Sequence, residues 1–181
     1  IPNGINALAK AKELETEKDG LAAYREKISN FEHLIEIYEI GETEDFFYYT
    51  MEAAYSVSDK YYVPITLARL QEHFFFYSSD CANISLDILN GLKELHSNDL
   101  AHRDIKPENI LFDATGSAKI VDFGLAGMQD ENSGDEIWGT PYYIAPEKVR
   151  KGPTDFRVDM YSLGATIYHA LTGTAPFEGD D

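Results

Sequence analysis

A single cysteine, Cys81, stands in a chain of 181 residues. No internal disulfide can form, and this usage fits a reducing compartment. Cys81 falls within a helical pattern and is expected to be buried and inert. Apolar runs of ~18 residues are missing, so no membrane-spanning segment is expected, and no signal peptide is visible. Positive charge is scarce: 15 Lys and Arg face 32 Asp and Glu, for a net charge of −17. Phosphate backbones are bound by clustered cations, so nucleic acid is excluded as the main partner. An acidic surface instead attracts basic partners over long range. The five histidines, His33, His73, His96, His102 and His169, are scattered without metal-ligand spacing.

What the chain does have is His102-Arg103-Asp104-Ile105-Lys106-Pro107-Glu108-Asn109, followed by the apolar Ile110-Leu111-Phe112. A carboxylate, a cation and an amide sit close together in a loop before a strand-like run. This set matches a known phosphoryl-transfer pattern: Asp104 to accept a hydroxyl proton, Lys106 to neutralise charge on the moving group, Asn109 to hold a metal ion. Chance agreement at the prescribed positions is on the order of 10⁻⁸ with ordinary residue usage. A turn signal, Asp113-Ala114-Thr115-Gly116, then predicts a hairpin leading to Lys119-Ile120-Val121 and Asp122-Phe123-Gly124. A third segment is Gly139-Thr140-Pro141-Tyr142-Tyr143-Ile144-Ala145-Pro146-Glu147.

In this order and spacing the three segments resemble the catalytic loop, the metal-binding tripeptide and the end of the activation segment of eukaryotic-type protein kinases. Lys106 and the Gly-Thr-Pro-Tyr-Tyr string are similar to serine/threonine rather than tyrosine kinases. The resemblance implies an α+β, bilobal protein-kinase-like fold. It is expected to be incomplete: part of a small β-rich lobe in 1–52 (helix C and the last strands), then hinge and first half of a helical large lobe in 53–181. No Gly-x-Gly-x-x-Gly loop and no Val-Ala-x-Lys strand precede these elements, and a kinase domain usually needs ~250 residues or more. The sequence is therefore expected to be a fragment, weakly stable and largely inactive alone.

Read in order, a helix is predicted over about Asn6 to Ile28, with an apolar stripe and interleaved Lys and Glu. The resemblance makes it helix C. Its ion-pairing glutamate is expected at Glu17, because Leu21 four residues on shares its side; Glu13 is the rival. Strands are predicted over Leu34–Ile40 and Phe46–Met51. Met51-Glu52-Ala53-Ala54 resembles the hinge, which implies a gatekeeper at Met51 and adenine contacts from the backbone of Glu52 and Ala54. Leu111 is expected to join them in the nucleotide site. A short helix is predicted within Ile65–Phe76, and the aromatic run Phe74-Phe75-Phe76-Tyr77 is expected to pack in the core. Helices are predicted over Cys81–His96, capped by Asp80 or Asn83, and from Arg157 to about Leu171, stopped by Gly173 and Pro176.

The implied reaction is transfer of the γ-phosphate of ATP to a protein Ser or Thr hydroxyl, in a cytoplasmic kinase region. Asp104, Lys106 and Asn109 would be catalytic; Asn109 and Asp122 would hold Mg²⁺. Asp159 would hydrogen-bond the catalytic-loop backbone as a structural residue. Ser133 is the expected phosphorylation site, Thr140 a structural one, and Asp130, Glu131, Asp135 or Glu136 could pair with Arg103 in place of a phosphate. A pseudokinase scaffold and a small-molecule phosphotransferase are the alternatives.

Overall fold

The computed structural model describes residues 3–43, 46–56, 58, 60–123, 126, 141–150 and 152–177, with side chains from residue 14 onward. Its centre is a helix whose apolar positions recur every three or four residues. Cys81, Ile84, Ile88, Leu92 and Leu95 form one buried stripe on α3 (Ser78–Ser97). The Asp80 carboxylate accepts from the Tyr77 amide at 2.9 Å and satisfies one of the donors that a helix start leaves open. Each fully buried Leu or Ile contributes about 1.5–3 kcal/mol of burial free energy, so this stripe alone fixes the helix in place.

A short hairpin lies against α3. Strands β3 (Ile110–Phe112) and β4 (Ala118–Ile120) pair antiparallel, with Ile110 opposite Ile120, and all six residues are buried. The turn forms as predicted. The Asp113 carboxylate accepts from the amides of Thr115 at 2.8 Å and Ser117 at 3.0 Å, and Gly116 supplies a φ of +86° that a side chain would resist.

The N-terminal part docks on this hairpin. Helix α1 (Asn3–Lys27) buries Leu21 and Tyr24, and Ile28 just beyond it is also buried. The predicted strand start at Leu34 is corrected. Leu34 and Ile35 attach to β4, through a parallel bridge from Leu34 to Ile120 and an Ile35 amide bond to the Ile120 carbonyl at 3.0 Å. The strand that pairs with Phe47–Met51 (β2) begins at Ile37 and runs to Glu42 (β1), with an irregularity between Ile37 and Glu39. Gly91 of α3 allows this docking: a Cβ there would lie 2.8 Å from the His33 carbonyl oxygen.

Helix α2 (Leu67–Gln71) is the short helix expected within Ile65–Phe76. The aromatic run after it is not core. Phe74 is 64%, Phe75 100% and Tyr77 78% exposed, and only Phe76 packs partly against the core. Aromatic composition does not dictate burial, because a small fold has too little interior for all its apolar residues. The chain continues through α4 (Pro146–Val149) to α5 (Arg157–Thr172), which buries Val158, Asp159, Ser162, Leu163 and Thr166 and ends at Gly173 with φ +76°. The fold is α+β, as the sequence led us to expect. Among the described residues no helix is long and apolar enough to cross a membrane.

Candidate active site

The loop from His102 to Asn109 is held from below by one buried carboxylate. Asp159, fully buried on α5, accepts from the amides of His102 at 2.8 Å and Arg103 at 2.6 Å, and from His96 Nε2 at 2.8 Å. Burial opposes its charged form. The His96 hydrogen bond, the nearby His102 imidazole and the two amides outweigh that and hold its pKa below the ordinary carboxylate value. This tether supports Arg103 in a left-handed conformation, φ +69°, which a non-glycine residue adopts only when its surroundings enforce it.

His102 then orders the next layer. Its Nδ1 accepts from the Asp104 amide at 3.3 Å, which leaves Nε2 to donate to the Val121 carbonyl at 2.9 Å. The ring also packs edge-on against Phe123, 5.4 Å between centroids. Phe123 stacks on Tyr24 of α1 at 3.6 Å, and the Tyr24 hydroxyl donates to the Ile35 carbonyl at 2.6 Å. Burial, and then the carboxylates of Glu52, Glu36 and Glu94, push the Tyr24 phenol well above its usual pKa, so it stays a donor. Phe123 thus points inward while Asp122, with φ +70°, is exposed beside it.

Asp104, Lys106 and Asn109 are brought together. Lys106 Nζ lies 2.7 Å from Asp104 Oδ2, and Asn109 Nδ2 donates to the same oxygen at 3.1 Å and to the Asp104 carbonyl at 2.9 Å. With its NH₂ so engaged, Asn109 keeps its carbonyl oxygen as an acceptor. Asp122 makes no ion pair among the described residues. A carboxamide oxygen and a carboxylate are hard donors. They suit a magnesium ion that retains waters and takes phosphate oxygens for its remaining positions. No group of three or more His, Cys, Asp or Glu able to hold a metal occurs among the described residues. Glu17 is half-buried, and its charge and that of Asp122 both reach Tyr49, whose phenol is raised mainly by burial and then by these two carboxylates. Leu21, four residues on, is buried.

The segment after β2 presents open backbone groups. The Glu52 amide donates to the Glu36 carbonyl at 2.8 Å, and the Tyr55 amide to the Phe112 carbonyl at 3.0 Å. Between them the Glu52 carbonyl and the Ala54 amide have no partner among the described residues. On an extended chain, groups two residues apart face the same side. An acceptor and a donor so placed fit the edge of an adenine. Ala54 is 8% and Leu111 5% exposed, while Met51 at the end of β2 is 38% exposed.

Sequence reasoning missed what holds this segment. Lys119, 8% exposed, places Nζ 2.8 and 3.0 Å from the two Glu52 carboxylate oxygens and 2.9 Å from the Phe31 carbonyl. One cation therefore ties the loop after α1, the segment after β2 and the β3–β4 hairpin. The available signal was a lysine inside the otherwise apolar Ala118–Val121. His96 was equally unmarked; its ring also stacks on Phe156 at 4.8 Å. Farther along, the Tyr143 hydroxyl bonds His169 Nδ1 at 2.7 Å, Ser162 Oγ donates to the Tyr143 carbonyl at 2.7 Å, and Lys148 Nζ reaches the Arg103 carbonyl at 3.4 Å. Burial, then Glu108 and Tyr142, push the Tyr143 phenol up to about 12. Gly124, Asp130, Glu131, Ser133, Asp135, Glu136, Gly139 and Thr140 lie outside the described residues, as does the Glu13 side chain.

Comparison with known proteins agrees with this geometry. The sequence matches the family model for the protein kinase domain over residues 8–181. It is 31% identical over 157 residues to the serine/threonine-protein kinase PrkC of Bacillus subtilis, covering 84% of this chain and 23% of that protein. It is 46% identical over 96 residues to the serine/threonine-protein kinase PknL of Mycobacterium tuberculosis, covering 51% of this chain and 24% of that one. Calcium-dependent protein kinase 4 of Plasmodium berghei is 34% identical over 175 residues, with coverage of 92% and 31%. The chain thus spans under a third of the length of each of these relatives. With its family model matched from residue 8 to residue 181, the chain belongs to the protein kinase domain family.

Proposed function

We propose that the protein carrying this chain transfers the γ-phosphate of ATP to Ser or Thr hydroxyls of proteins. The observation that carries the reading is the arrangement at Asp104, with Lys106 Nζ at 2.7 Å and Asn109 Nδ2 at 3.1 Å on a loop tethered to buried Asp159. Asp104 accepts the proton of the attacking hydroxyl, whose oxygen forms the new bond to the γ-phosphorus as the bond to the ADP oxygen breaks. Lys106 offsets negative charge on the transferring group. Asn109 also orients the Asp104 carboxylate. Magnesium held by Asn109 and Asp122 would neutralise phosphate charge. Glu52 and Ala54 read the adenine edge through their open backbone groups, with Met51 beside them and Leu111 beneath. Covalent chemistry by the protein is minimal; position and electrostatics supply the rate.

The division proposed is a smaller nucleotide-covering part over 1–52 and a catalytic part from 53 onward. The PrkC, PknL and Plasmodium relatives, all serine/threonine or calcium-dependent protein kinases by name, support a protein substrate. The test is to incubate the full-length protein with Mg²⁺ and γ-labelled ATP in the presence of Ser/Thr-containing proteins and map the label. Phosphoserine or phosphothreonine on protein is expected. Label confined to a small-molecule alcohol or amine, or no transfer at all, would reject the proposal in favour of a small-molecule phosphotransferase or a scaffold.

A further inference from the structure

The open donor at Ala54 is flanked by a peptide group that is gripped at both ends. The amide joining Ala54 to Tyr55 gives its N–H to the Phe112 carbonyl at 3.0 Å. Its C=O accepts from the Tyr62 hydroxyl at 3.2 Å. Tyr62 comes from the loop that follows, and that loop is built to return. The Ser56 hydroxyl accepts from the Val63 amide at 3.0 Å, the Ser58 hydroxyl accepts from the Lys60 amide at 3.2 Å, and Ser56 and Pro64 form an antiparallel bridge. The Tyr62 side chain is 58% exposed, so its ring is not there to fill the core. The hydroxyl is its structural contribution.

We infer that Tyr62 is a positioning residue for nucleotide selection: by holding the Ala54 carbonyl it fixes the neighbouring Ala54 N–H in line for the adenine ring. A peptide plane held only at its N–H end can pivot about that bond. A second bond at its C=O removes the pivot and holds the Ala54 Cα in place, so that with the Glu52 amide anchored upstream the short stretch carrying the Ala54 N–H is fixed at both ends. An adenine edge offers an acceptor to that N–H and a donor to the Glu52 carbonyl. A guanine edge offers a donor where adenine offers an acceptor, so it gains nothing from a well-aimed Ala54 N–H. Tyr62 therefore favours ATP over GTP without touching either.

The inference rests on the adenine-edge reading of Glu52 and Ala54 given above. The test is Tyr62→Phe in the full-length protein, which removes one oxygen from a mostly exposed side chain. KM and kcat are measured with ATP and with GTP, alongside thermal unfolding. The expected result is a KM for ATP raised about three- to tenfold, the range for loss of one hydrogen bond. The kcat, the GTP constants and the unfolding temperature stay unchanged, so the ATP preference falls by the same factor. Equal changes for both nucleotides, or no change, would overturn the role of Tyr62 and leave the phosphoryl-transfer reading standing. A wild-type protein that uses neither nucleotide would overturn both.

Discussion

Replacing Asp159 with asparagine removes a charge while keeping size, and the structure says which bond must fail. Three donors converge on the carboxylate: His102 N and His96 Nε2 on Oδ2, Arg103 N on Oδ1. An asparagine oxygen can take the two donors on one side. Its NH₂ must then face the Arg103 amide across a 2.6 Å gap, donor against donor. The reverse rotamer would oppose two donors, so the first is preferred. The Arg103 amide is left without its acceptor, and two charge-assisted bonds become neutral ones. Charge-assisted bonds contribute about 1.5–3 kcal/mol and neutral ones about 1 kcal/mol, and an orphaned buried amide costs about 1–3 kcal/mol. Relief from burying a charge offsets part of this. We expect Asp159→Asn to destabilise the domain by about 2–4 kcal/mol, read as a shift of the urea midpoint at unchanged slope. The pH dependence carries the second signature. The Asp159 pKa is depressed in the fold, so its contribution is complete above the unfolded value of about 3.9 and is lost as pH falls through the lower folded value. The gap between wild type and Asp159→Asn should be constant at neutral pH and close below about pH 4. A loss under about 1 kcal/mol, or a gap that ignores acid, would refute the account of the tether.

Other outcomes follow from the same contacts. Lys119→Met leaves the Phe31 carbonyl and the Glu52 carboxylate without their cation; unfolding should be easier by about 1–3 kcal/mol and ATP affinity lower in a binding titration. Unchanged affinity would detach Lys119 from the nucleotide site. Gly91→Ala gains helix propensity of about 1 kcal/mol, yet its Cβ meets the His33 carbonyl oxygen at 2.8 Å. Net destabilisation of about 1–3 kcal/mol is expected in denaturant unfolding, and a stabilised variant would contradict the packing. Tyr24→Phe should cost about 1 kcal/mol through the lost bond to Ile35, whereas Tyr24→Ala should cost about 3–5 kcal/mol and lower kcat by withdrawing support from Phe123. Equal losses for the two variants would deny the stack any role.

Much of this was written locally in the chain. The α3 stripe, the Asp113–Gly116 turn and the Gly173 stop are short-range devices, each set by residues within a turn or two of one another. The loop at Asp104 was legible because its chemistry lies within eight consecutive residues. What escaped were contacts between distant segments. Asp159 and His96 are far apart in sequence, and neither periodicity nor turn chemistry pairs them. Lys119 and Glu52 meet only because the hairpin and the segment after β2 converge. Leu34 and Ile35 read as strand and are extended and buried, but their partner is β4, which no local pattern could reveal. Phe74, Phe75 and Tyr77 misled because hydrophobicity predicts burial only where the fold has room. The open groups of Glu52 and Ala54 are backbone, so no side chain marks them.

The central claim is that Asp104 accepts the proton in phosphoryl transfer. The most direct measurement is kcat of the full-length protein and its Asp104→Asn variant on one Ser/Thr protein substrate, with ATP affinity determined on both. Loss of a group worth about 2–4 kcal/mol in the transition state predicts a kcat lower by about 30- to 1,000-fold with ATP affinity within about twofold. A variant that retains near-wild-type kcat would contradict the account.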